Sequence, residues 1–71
     1  MTVEAANARL SVIEQTWQAA SNTERVGYLN ELTEMARNLE QVTGPQAEHA
    51  QWLTRRVHRV VRHINHDPDP H

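Results

Sequence analysis

Trp52 is followed at three, four, seven and eleven residues by Arg55, Arg56, Arg59 and His63, with Arg62 among them. On a helix these positions lie beside or above one another. The apolar residues of the same stretch run elsewhere, through Ala50, Leu53, Val57, Val60 and Ile64. An indole on a guanidinium-rich face has the composition of interface hot spots: both groups fill area at low entropic cost, and guanidinium pairs with carboxylates in bidentate fashion. Trp52, Arg55, Arg56, Arg59, Arg62 and His63 are therefore the expected contact surface for an acidic protein partner. Nucleic acid is the alternative, since the same arginines would neutralise phosphates and the indole could stack on an unpaired base. A helix-turn-helix would fit that alternative, because the arginine segment follows a glycine-containing turn. The acidic formal charge of −2 argues against it, as does the lack of homeodomain, zinc-finger or basic-zipper spacing.

The five histidines, His49, His58, His63, His66 and His71, all fall in the last third. His63 and His66 share a helix face at three-residue spacing, and Asp67, Asp69 and His71 follow as further potential ligands. Both aspartates precede prolines, however, so nothing preorganises the group, and neither a metal site nor a cofactor is expected. Protonating all five histidines raises the formal charge of −2 by five units, so acidification should strengthen contact with an anionic partner.

Catalysis is not expected. Glu31, Glu34 and Glu40 have the spacing of a wet helix face, and no glycine-rich loop, Glu-x-x-His pair or nucleophile beside a histidine is evident.

With 71 residues, the chain makes at most one domain, and a domain of this size buries only about 60% of the surface its unfolded chain exposes. There is no cysteine, so neither a disulfide nor a thiolate zinc site can compensate, and self-association would add stability. No apolar run approaches the ~18 residues of a membrane span, and the N-terminus lacks a secretory pattern. The expected setting is cytoplasmic, without membrane contact.

Three segments have helical periodicity. Val3, Ala6, Leu10, Ile13, Trp17 and Ala20 form one amphipathic stripe, with Thr2 as N-cap and Glu4 in the first turn. Ala5, Ala8, Val12 and Ala19 form a second stripe of small residues, which reads equally well as a solvated face or as a second contact. Ser21 and Glu24 have the spacing of a capping box, opening a segment whose apolar side runs through Val26, Leu29, Leu32, Ala36 and Leu39, widened by Tyr28, Met35 and Val42. Gly27 weakens this segment and is read as tolerated rather than as a close crossing. Gly44-Pro45 stops it and opens the third.

These features predict an all-α protein, an antiparallel three-helix bundle or an intertwined helical dimer, with helices near residues 3–20, 24–43 and 46–64 in a single domain of 1–66 and a disordered tail at 67–71. The first two segments are net acidic, while four arginines against Glu48 make the third basic, so the helices can pair internally or with a second copy. The functional expectation is a small, self-associating helical module that acts as adaptor, inhibitor or regulator of a larger partner.

Overall fold

Thr2 has extended backbone, and its hydroxyl accepts the Ala5 amide at 3.0 Å, which opens α1, Val3–Thr16. The computed structural model describes residues 2–66. A 3₁₀ turn, Trp17–Ala19, follows α1 and leads to Ser21, where the predicted capping box forms. The Glu24 amide donates to Ser21 Oγ at 3.2 Å and the Ser21 amide donates to Glu24 Oε1 at 3.0 Å. Donation to the Glu24 carboxylate by Ser21, from its backbone amide foremost and then from its side chain, lowers the pKa of that carboxyl. This box starts α2, Asn22–Glu40.

Gly44 has a φ of 82°, in the left-handed region that favours glycine. However, α2 has already ended at Glu40 with Gln41 as its cap, so this glycine shapes the link to the third helix rather than the end of α2. Pro45 lies in a second 3₁₀ turn, Gly44–Gln46, and α3, Ala47–His66, continues from it. The three helices pack against each other, and no described residue lies in a strand. The expected boundaries shift in all three helices. The first is α-helical only to Thr16, the second starts at Asn22 and stops at Glu40 rather than near 43, and the third continues past 64 to His66. The tail expected at 67–71 lies outside the described residues.

One core joins the three stripes: Val3, Ala6, Leu10, Ile13 and Trp17 from the first segment, Leu32, Met35, Ala36 and Leu39 from α2, and Ala50, Leu53, Val57, Val60 and Ile64 from α3. The most extensive helix contact is between α2 and α3. Polar side chains join α1 to both. Arg9 pairs with Glu31 in bidentate fashion at 2.5 and 3.0 Å, and Thr16 Oγ1 lies 3.2 Å from the Tyr28 hydroxyl. The small-residue stripe of α1 is exposed: Ala5, Ala8, Val12 and Ala19 all face outward.

The apolar side of α2 differs from expectation at its start. Val26 is 57% exposed and Arg25 is buried, at 5%. The reason is angular. Each three-residue step falls about 60° short of a full turn, so the path from Leu32 back through Leu29 to Val26 swings about 120° off the core. A seven-residue step nearly closes, and Arg25, Leu32 and Leu39 follow it. Leu29 is correspondingly only half-buried.

Arg25 occupies that inward position because α1 ends there. Its Nε donates to the Trp17 carbonyl at 3.1 Å and one Nη donates to the Gln18 carbonyl at 2.8 Å, while the guanidinium lies 5.1 Å from the centre of the Trp17 ring. A cation from α2 thus meets carbonyls just past the negative end of α1, adding a second donor to the Trp17 carbonyl, which also accepts the Ala20 amide at 3.2 Å. No buried side-chain nitrogen or oxygen among the described residues lacks a hydrogen-bond partner.

Gly27 is exposed, and a Cβ built there meets no atom within 4 Å. Gly27→Ala should therefore raise stability by about 0.5 to 1 kcal/mol, through lower unfolded-state entropy and better helix propensity. Urea denaturation checks this: a higher midpoint at unchanged slope is expected, and a lower midpoint would contradict the open space at this site.

Candidate functional site

The residues grouped around Trp52 occupy three settings on α3. Trp52 is exposed at 52%, as its position off the apolar stripe implies. It is not loose, because the Arg56 guanidinium lies over its ring at 4.9 Å and the His49 ring centre is 5.9 Å away. Those two residues stand three before and four after it on the helix, so the indole is held by neighbours of its own element.

Arg56 turns toward α1 and uses all three guanidinium nitrogens there. One Nη donates to Asn7 Oδ1 at 3.0 Å, Nε donates to Glu14 Oε2 at 3.4 Å, and the other Nη pairs with Glu14 Oε1. The heptad spacing of Asn7 and Glu14 places both on the side of α1 that meets α3. His63, two turns further on, also turns toward the first segment, with its ring centre 6.5 Å from that of Trp17. These two members of the predicted surface therefore tie α3 to the rest of the protein.

Arg55, Arg59 and Arg62 face away from the core and are exposed. Positions i, i+4 and i+7 put them in one row along the helix. None of their side chains hydrogen-bonds or pairs with a carboxylate among the described residues. Like charges at this spacing repel, so the row costs the isolated helix something and returns no internal bond.

His58 belongs with this row, three residues after Arg55 and four before Arg62, and the sequence argument left it out. It borders three adjoining depressions. One is a concavity of about 340 Å³ between the end of α2 and the start of α3, with Leu39, Val42, Ala47 and Arg55 in its lining. The second continues along the seam past Ala36, Glu40 and Val61. The third is the shallow space between His58 and Arg55, Arg59 and Arg62. The signal for His58 was present in the helical spacing, whereas its place on the seam depends on how α2 packs.

No three His, Cys, Asp or Glu side chains converge as a metal site among the described residues. Of the histidine and aspartate group at the end of the chain, only His63 and His66 are described, and Asp67, Asp69 and His71 lie outside. No described helix is long and apolar enough to cross a membrane.

What the arrangement can do chemically is bind. Three guanidinium groups, without a carboxylate among the described residues, present donors to carboxylate or phosphate, a half-exposed indole lies to one side of them, and an apolar seam lies to the other. No family model matches this sequence, and no curated protein or solved structure is significantly similar to it.

Proposed function

We propose that the chain is an antiparallel three-helix bundle serving as a small protein-binding module, an adaptor, inhibitor or regulator that meets an acidic surface of a larger cytoplasmic partner through α3. The observation that carries this reading is the row Arg55, Arg59 and Arg62, exposed and without a carboxylate partner among the described residues. The contrast with the other arginines is informative. Arg9, Arg37 and Arg56 all pair with glutamates, in a chain whose formal charge is −2. Among the described residues seven glutamates stand against seven arginines, yet no carboxylate pairs with the row. Trp52 adds apolar area at the edge of the row, and because His49 and Arg56 already restrain it, little rotamer entropy is lost on contact. Arg56 and His63 act as positioning residues for that surface.

The module also self-associates in this reading, through the outward face of α1, where Ala5, Ala8 and Val12 leave a smooth apolar strip. Sedimentation of the full chain tests this: a monomer at every concentration up to the millimolar range removes the claim.

For the binding surface, the test is capture of a defined partner from nuclease-treated extract by immobilised full chain. The variant carrying Arg55→Ala, Arg59→Ala and Arg62→Ala is expected to lose that partner at least tenfold, with helicity and melting unchanged because all three side chains are exposed. Equal capture by the variant overturns the reading. A salt series on duplex DNA separates the alternative, since three neutralised phosphates give a log-log slope of about −2.7. That slope, together with capture abolished by nuclease, would move the surface to nucleic acid.

A further inference from the structure

Resting on the reading that the arginine row meets an acidic protein, we infer that the seam between α2 and α3 receives an amphipathic helix of that partner. Its apolar stripe lies on Val42, Ala47 and Val61, and a one-sided row of carboxylates meets Arg55, Arg59 and Arg62.

The dimensions fit one helix. From Ala47 to Val61 the seam follows α3 for about 21 Å at the helical rise per residue, which is four turns of a guest. Its floor is apolar but incompletely covered. Leu39 and Ala36 are buried, while Val42, Ala47 and Val61 are half-buried and retain surface for a visitor. A helix with anchors at i, i+4, i+7 and i+11 buries such a floor, the usual mode of helix-in-groove recognition.

The walls of the seam are unlike in charge. On the α3 side stand Arg55, Arg59 and Arg62, none paired with a carboxylate among the described residues, with His58 at the centre. On the α2 side Arg37 is bonded to Glu34 at 3.4 Å, and Glu40 adds a negative charge. The guest therefore carries Asp or Glu on the flank facing α3 and none on the flank facing Glu40. This asymmetry sets the rotation of the guest helix about its own axis.

Two other occupants fit less well. A nucleic-acid backbone would use the arginines but has nothing to place on valine and alanine, and duplex grooves receive protruding helices rather than filling concave seams. A second copy of this chain lacks the matching row. Its exposed carboxylates on the described helices, Glu4, Glu24, Glu34, Glu40 and Glu48, include no two at three-, four- or seven-residue spacing.

The experiment titrates isotope-labelled full chain with two synthetic peptides of about 15 residues and identical composition. One has a leucine stripe flanked on one side by glutamates at i, i+4 and i+7, and the other has the same residues scrambled. The patterned peptide is expected to bind at least tenfold more tightly, with chemical-shift changes at Val42, Ala47, His58 and Val61. His58→Glu, a change at an exposed position that puts a carboxylate against the guest's row, should weaken it at least tenfold. Gln15→Ala, at an exposed position of α1 outside the lining of the seam, should alter it less than twofold. Equal affinity for the two peptides, with shifts confined to Arg55, Arg59 and Arg62, overturns the helix in the seam and leaves the acidic-partner reading standing. Shifts at neither place overturn both, and movement of the Val42, Ala47 and Val61 signals by duplex DNA reassigns the seam to nucleic acid.

Discussion

Trp17→Ala is expected to cost about 3 to 5 kcal/mol, the range for removing a large buried aromatic, while the same substitution at Trp52 leaves stability within about 1 kcal/mol. Trp17 is 7% exposed and belongs to the core shared by all three helices. Its ring also lies 5.1 Å from the Arg25 guanidinium and has its centre 6.5 Å from that of His63, so removing it leaves a cavity and takes a packing surface from a buried cation. Small domains are only marginally stable, and a loss of this size unfolds a large fraction of the molecules at 25 °C. At Trp52 the indole is 52% exposed and what is lost is chiefly the stacking of Arg56, for which about 0.5 to 1 kcal/mol is typical at an exposed site. Chemical denaturation followed by circular dichroism checks both. Unfolding by Trp52→Ala, or a native-like midpoint for Trp17→Ala, would reverse the roles assigned to the two tryptophans.

Arg25→Ala should destabilise by about 1.5 to 3 kcal/mol, the usual contribution of a hydrogen bond to a charged group. The substitution leaves the Trp17 and Gln18 carbonyls without their guanidinium donors at the point where the first helix ends. Breaking one side of a buried polar arrangement costs more than the intact arrangement contributes, because the remaining groups stay desolvated. Arg25→Lys should recover less than half of the loss, since an ammonium offers no planar fork to span two carbonyls and stack on an indole together. The comparison to make is Arg37→Ala. Arg37 is exposed and pairs only with Glu34 on its own helix, so its loss should stay within about 0.5 kcal/mol. Equal effects at Arg25 and Arg37 would show that burial of Arg25 contributes nothing to stability.

Arg25 also marks where sequence reading of the fold failed. The stripes of α1 and α3 were legible because their apolar residues alternate three- and four-residue steps, which hold the helix angle nearly constant. In α2, the steps from Val26 to Leu29 to Leu32 are both three, and the stripe drifted outward by one register. The seven-residue relation of Arg25 to Leu32 and Leu39 was visible, but a charged residue does not count as core until something is known to receive its charge. That receiver is the end of α1, a feature of another element.

The candidate site was legible in the same partial way. Exposure of Trp52 followed from its helical angle, and so did the common row of Arg55, Arg59 and Arg62. Spacing could not separate Arg56 from these three, because one turn of helix contains both and the difference between them is what faces each. The same holds for the seam, whose floor takes Val42 from the connection after α2 and Val61 from α3.

Sequence by itself determined the three helices and the local signals that separate them. Thr2, Ser21 with Glu24, and Gly44 with Pro45 act through bonds and dihedral preferences within a few residues, and no distant partner is needed to read them. Tertiary structure alone decided which cations are free. Arg56 pairs with Glu14 and donates to Asn7, 42 and 49 residues away, and Arg25 donates to the Trp17 and Gln18 carbonyls just past α1. Arg55, Arg59 and Arg62 remain open because α3 is rotated to set its apolar stripe against α1 and α2. Burial of that stripe fixes the rotation of the helix, and the rotation turns one arginine inward to a glutamate and three outward to solvent.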